Sequence, residues 1–200
     1  MVANPKSFFS VQEYLDLERE SETKHEYVDG RIIAMAGASA NHGLIMFGAG
    51  GALRQQLRGR GCYVYPSDLR VRIDALRIFT YPDISVACGT PQFGEERADT
   101  LLNPILIMEI LSPSTEITDR TTKFARYRRI PSFREYVLIA QDKPLIEHYV
   151  RQDNGTWSWS AVEGLEESIY LPTIDCTLAL AEVYEQVTFS PEESGSNSES

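Results

Sequence analysis

The sequence predicts one α/β domain built on a mixed β-sheet. Two apolar runs, ILIMEIL at 105–111 and EYVLIA at 135–140, have the continuity of strands covered on both faces. Between them, a segment from Ile117 to Arg129 reads as a helix and is stopped by Ile130-Pro131, because proline disfavours helical backbone in the residue before it. Two hundred residues, 42% apolar and 24% charged, suit one ordinary globular domain with a hydrophobic core.

The remaining elements follow in chain order. Ser10 and Glu13 form a capping-box pattern that opens a short helix over VQEYLDLERE. HEYV and RIIAMA flank Asp29-Gly30, a two-residue hairpin turn. Asn41 is placed to cap a helix over HGLIMFGAGGALRQQL, where Met46, Ala49, Leu53 and Leu57 share a face. Its four glycines each cost about 1 kcal/mol relative to alanine, so they mark either a weak helix or close packing onto a sheet. CYVYPSDLRVRI reads as one β-type run in which Leu69, Val71 and Ile73 alternate with arginines, and YPDISVACG as the next. After EYVLIA, IEHYV and TWSWSAV form a hairpin around Asn154-Gly155, with Trp157 and Trp159 on one face as packing residues. LALAEVYEQV reads as a closing amphipathic helix. The domain therefore spans 1–189, with no internal repeat or linker, and SPEESGSNSES at 190–200 reads as a disordered acidic tail.

Composition narrows the function classes. No segment approaches the roughly 18 continuous apolar residues a membrane span needs, and the N-terminus lacks a secretion-signal pattern. Three widely spaced cysteines, Cys62, Cys88 and Cys176, read as reduced thiols of a cytoplasmic protein. The formal charge of −10 argues against a protein that coats nucleic acid non-specifically. The charge is uneven, however. Five glutamates and no base lie between Glu182 and Ser200, whereas Asp119 to Arg134 carries six bases against one acid, a local patch able to contact phosphate.

One residue stands out chemically. Glu109 sits inside ILIMEIL, and an ionised carboxylate in a core costs several kcal/mol unless a cation or donor compensates, roughly. Asp83 opens the preceding run after Pro82. If the two strands are neighbours, about 4.8 Å apart, the carboxylates converge where a divalent cation could sit. A lysine two positions after Glu109 would share its face, but Leu111 stands there. The nearest candidate is Lys123, on the following helix beside Arg120 and Tyr127, from where it could position a water or stabilise charge on phosphorus.

The segments YPDISV, LIMEILSPST, DRTTKFARYRRIP and EYVLI resemble the bacterial Uma family of predicted restriction endonucleases, within the PD-(D/E)-x-K nuclease superfamily. The resemblance extends from EYLDLERESETKHEYVDG through NHGLI and PSDLRVRI to LPTIDCTLALAEVYE. It implies a restriction-endonuclease-like fold, a central mixed sheet flanked by helices with an N-terminal helix and hairpin. It also implies hydrolysis of DNA phosphodiester bonds with Mg²⁺ or Mn²⁺. On the superfamily pattern Asp83 matches the Asp of PD, Glu109 matches the acid of (D/E)-x-K, and Lys123 takes over the work of the lysine missing at 111. Glu26 and Asp68 are candidate accessory acids, and His42 a candidate base or DNA contact. Arg120, Arg126 and Arg128 are candidate backbone-phosphate contacts without sequence readout. Cutting both strands with one site per chain implies a two-fold homodimer.

Two other classes compete. One is a nuclease-fold binding or interaction module without catalysis, favoured by Leu111 and the acidic net charge. The other is a hydroxyl or thiol hydrolase. Ser112, Ser114 and Thr115 lack a nucleophile-elbow pattern and read as capping chemistry. The cysteines and His25, His42 and His148 show no paired ligand spacing for a structural zinc.

Overall fold

The computed structural model describes residues 8–94 and 98–189, so the tail expected at 190–200 lies outside the described residues. In chain order the elements are α1 (Val11–Glu20), β1 (His25–Val28), β2 (Arg31–Ala34), α2 (Ala40–Gln56), β3 (Cys62–Pro66), β4 (Arg70–Ile73), β5 (Ile78–Thr80), β6 (Ile84–Cys88), β7 (Thr100–Leu101) and β8 (Leu106–Leu111). Then come α3 (Glu116–Thr118), a π-helical turn (Asp119–Lys123), α4 (Phe124–Tyr127), β9 (Glu135–Ala140), β10 (Leu145–Arg151), β11 (Trp157–Glu163), β12 (Ser168–Leu171), β13 (Cys176–Ala179) and α5 (Leu180–Val183).

A six-stranded sheet in the order β11-β10-β9-β8-β6-β3 forms the spine. It is mixed: β8 and β9 run parallel, and the other pairings are antiparallel. All six residues of β8 and of β9 are buried, as their unbroken apolar runs require. Alternation then sorts the side chains. Leu106, Met108 and Ile110 join a core with Ile45, Ala49 and Leu53 of α2 and Leu180 and Val183 of α5. Ile107 and Leu111 enter a second core against Val71, Ile73, Ile78 and Leu101 of a five-stranded sheet ordered β2-β1-β5-β4-β7. Glu109 shares this second face by period, which puts it between the two sheets.

Local chemistry explains the elements. Both halves of the capping box at Ser10 and Glu13 are made, and α1 lays Tyr14 against Tyr27 and Phe79. Asp29 (φ 51) and Gly30 (φ 79) form the left-handed pair a two-residue hairpin needs. Of the α2 glycines only Gly48 marks close packing; a Cβ on Gly43 or Gly51 would meet nothing within 4 Å, and one on Gly50 would make an ordinary contact with Ile84 of β6. A Cβ on Gly48 would stand 2.7 Å from the Val183 carbonyl oxygen, so the contact made there is with α5 rather than a sheet.

Several expectations are corrected. CYVYPSDLRVRI is two strands in different sheets, because Pro66 offers no N–H to continue the ladder and Leu69 N–H turns back to its carbonyl. Ser39, not Asn41, caps α2 by accepting from the His42 N–H. In LALAEVYEQV only Leu180–Val183 is helical, since Leu178 and Ala179 pair in β13 with β12. Trp157 packs against Phe124 and Phe133, whereas Trp159 is 60% exposed.

The cysteines are not all thiols. Cys62 and Cys88 are disulfide-bonded, leaving Cys176 free and buried. Spacing along the chain hid this pairing, for the β3–β6 register sets Cys62 directly opposite Cys88 with Cα atoms 4.0 Å apart. Denatured protein prepared without reductant is expected to titrate one thiol with Ellman's reagent and three after reduction. Three before reduction would contradict the bridge. Among the described residues no helix is long and apolar enough to cross a membrane.

Candidate active site

Strand pairing brings the two sequence-singled carboxylates together. Ile84 pairs with Met108 across antiparallel β6 and β8, so Asp83, one residue earlier, stands opposite Glu109. Asp83 Oδ2 accepts the Ile110 N–H at 2.7 Å, which fixes the side chain against the strand carrying Glu109. Its Oδ1 lies 2.9 Å from Nε2 of His42, in the first turns of α2.

Lys123 completes the constellation. Its Nζ donates to Glu109 Oε1 at 3.1 Å and lies 2.9 Å from Asp119 Oδ1. The Asp119 contact has the distance of an ion pair but not the angle of a hydrogen bond, so that buried oxygen keeps only a charge contact. The helix reaches back because it carries the π turn Asp119–Lys123, a form often found at functional sites. The Tyr127 hydroxyl donates to Glu109 Oε1 at 2.6 Å, and Tyr136 donates to the Asp119 carbonyl at 3.1 Å. Glu26 approaches from the second sheet, accepting from Thr80 Oγ1, which lies 3.5 Å from the Tyr127 hydroxyl.

The charges do not balance. Asp83, Glu109 and Asp119 are all buried, and Lys123 is the ammonium between the last two. Burial pushes the Glu109 carboxyl up to about 8; Lys123 opposes the shift, and Asp83 and then Asp119 add to it. Lys123 is held well above the usual ammonium range, its two carboxylate partners outweighing its desolvation. Tyr127 is raised by burial first and by Glu109 second.

A raised carboxyl pKa stabilises the fold below the unfolded value, and that stability is lost as pH rises through the folded one. In chelator, the protein is therefore expected to lose roughly 1.4 kcal/mol between pH 7 and 9, about 3–5 °C in Tm. Glu109→Gln, which keeps the shape of the protonated acid, should show a level Tm across that window. A wild-type profile as flat as the variant's would sink this account.

The arrangement suits a hard divalent cation. The donors are carboxylate oxygens, negative charge is in excess, and Glu109 Oε2 makes no hydrogen bond among the described residues. Among the described residues no three acidic, histidine or cysteine side chains form a ready cage. Mg²⁺ commonly needs only one or two carboxylates, with water and phosphate filling the rest.

Other candidates fall elsewhere. Asp68 is 79% exposed and pairs with Lys24, because the turn after β3 carries it to the surface. Arg120 is taken up by Glu116 and Glu147, which removes it as a free phosphate contact. Arg128 lies over the Phe124 ring at 5.2 Å, and Arg126 is half-buried with no ion pair among the described residues. Each histidine meets a carboxylate rather than a serine or cysteine: His25 with Glu18, His42 with Asp83, His148 with Glu135. Sequence reasoning overlooked Asp119, whose signal was its place four residues before Lys123.

Comparison with known proteins places the chain by family and by fold. Residues 11–181 match the Uma2 family, described as "Putative restriction endonuclease". Two uncharacterized proteins of Synechocystis are similar: slr1290 at 35% identity, covering 90% of this chain and 93% of that protein, and sll1609 at 34%, covering 82% and 93%. The crystal structure of a "putative nuclease belonging to DUF820" from Anabaena variabilis superposes with a TM-score of 0.71 at 20% identity, covering 88% of this chain and 98% of that one. That likeness shows the fold: restriction-endonuclease-like, with mixed sheets flanked by helices.

Proposed function

The chain belongs to the Uma2 family, and from that premise we propose that it is a metal-dependent endonuclease hydrolysing DNA phosphodiester bonds. The observation that carries this reading is the in-register opposition of Asp83 and Glu109, with the Lys123 ammonium on the same carboxylate. Asp83 and Glu109 would hold Mg²⁺ or Mn²⁺, which when bound lowers the pKa of its water and neutralises phosphate charge. The protein's own groups do the positioning. His42 and the Ile110 N–H orient Asp83, and Tyr127 orients Glu109. Lys123 supplies a fixed positive charge for the attacked phosphate, delivered from a helix because Leu111 occupies the strand position. One site per chain and two strands per duplex call for a two-fold dimer.

The test is cleavage of supercoiled plasmid and of single-stranded DNA with Mg²⁺ or Mn²⁺ against a chelator control, alongside Asp83→Ala and Lys123→Ala. Metal-dependent cleavage lost in both variants is the expected result. DNA binding without cleavage under any metal would favour the inactive module that Leu111 suggests. Cleavage unchanged in both variants would put the chemistry elsewhere.

A further inference from the structure

A second place in the molecule has the chemistry of a nucleic-acid contact. Strand β3 is the last strand of the six-stranded sheet, and beside it lies a cavity of about 400 Å³ walled by Arg54, Arg58, Cys62, Tyr63, Val64 and Tyr65. This is within the usual size range of ligand pockets, roughly 300–1,000 Å³. No acidic residue lines it. Arg54 and Arg58, one helical turn apart, are exposed and make no ion pair among the described residues. The rings of Tyr63 and Tyr65 stack 6.3 Å apart within 14° of parallel, and Tyr63 is 48% exposed.

The backbone adds donors. The Gly89 N–H bonds to the Gly61 carbonyl, so by antiparallel alternation Tyr63 and Tyr65 bond inward to β6 while Cys62 and Val64 turn their N–H groups outward. Two guanidiniums, two amide donors and an aromatic face therefore border one space. By register Tyr65 lies opposite Ser85 and Tyr63 opposite Ala87, two and four residues beyond Asp83 on the same face of the sheet. At about 3.3 Å per residue the cavity runs from about 7 to 13 Å along the sheet from the carboxylates. That is about two to four nucleotide steps along a duplex axis, at roughly 3.4 Å each.

We infer that the cavity along β3 holds the substrate strand upstream or downstream of the cut, with Arg54 and Arg58 on its phosphates and Tyr63 stacked on an unpaired base. The choice of occupant rests on the nuclease reading. An added peptide strand fits less well, because Pro66 has no N–H and leaves only two outward donors on the edge. The pair of arginines calls for an anion, and the ring for a π face.

The test is fluorescence anisotropy of a labelled oligothymidylate of about a dozen nucleotides with full-length protein in chelator, where cleavage plays no part. Arg54→Gln with Arg58→Gln is expected to weaken binding about tenfold and flatten the salt dependence by about 1.4 log units per log salt. Tyr63→Ala should weaken it roughly tenfold, and Tyr63→Trp should restore it. The control removes the same charge elsewhere, at exposed arginines outside the Asp119–Arg134 patch, Arg31→Gln with Arg77→Asn, and should bind like wild type. Equal loss in the control, or unchanged binding in the cavity variants, would overturn the inference. So would a dimer dissociated by the arginine variants with oligonucleotide binding intact, which would make the edge a contact between copies. Failure of plasmid cleavage alone bears on the catalytic reading and leaves this binding result to stand or fall by itself.

Discussion

Asp83→Asn is expected to lower the single-turnover rate of metal-dependent DNA cleavage about a thousandfold while the protein stays folded. Asparagine is the same size and its carbonyl still accepts the Ile110 N–H, so the strand contact survives. What disappears is a full negative charge beside Glu109. A metal's contribution to a transition state is several kcal/mol, and about 4 kcal/mol corresponds to a factor of about a thousand. A second reading comes from the neighbour. Asp83 is one of the charges holding the Glu109 carboxyl up, so its removal should move the pH-dependent loss of stability in chelator to lower pH. A rate within tenfold of wild type, with the stability profile unmoved, would separate Asp83 from both the metal and Glu109.

Lys123→Ala is expected to produce the largest loss of stability among single substitutions at this site, about 3–5 kcal/mol near pH 9. The ammonium is the group that faces both Glu109 and Asp119, each almost fully buried, and its loss leaves two carboxylates without a cation. The cost should shrink toward pH 6, where Glu109 is protonated in the wild type too and the lost ammonium strands only Asp119; at higher pH the wild type ionises Glu109 against Lys123, and the variant, its carboxyl pushed up further, cannot. In a chain of this length the pH 9 loss corresponds to about 6–20 °C in Tm. Urea melts at the two pH values measure it. Equal losses at both would show that the damage comes from missing packing rather than from stranded charge.

Where a residue's role depends on its immediate neighbours, the sequence was a sufficient guide. The Ser10 capping box, the Asp29-Gly30 turn and the buried runs of β8 and β9 each follow from a few adjacent side chains. Glu109 drew attention by the same logic, since an acid in an apolar strand needs a partner wherever it folds. The failures involve partners distant in the chain. CYVYPSDLRVRI has strand character throughout, and nothing in it says that its halves pair in different sheets. Cys62 and Cys88 are 26 residues apart and meet because β3 and β6 share a register. Arg120 and Asp68 have the composition of site residues, but ion pairing with Glu147 and Lys24 places them in other work.

By itself, then, the amino-acid order determined that an α/β domain forms and that a buried carboxylate must find compensation, because propensity, alternation and desolvation act locally. Tertiary structure decided what it meets: compensation from Lys123, by way of the π turn, and from Tyr127, against added repulsion from the opposing Asp83 and from Asp119. Electrostatic interaction depends on distance through space and on exclusion of water. Both are set only when strands far apart in the chain have paired.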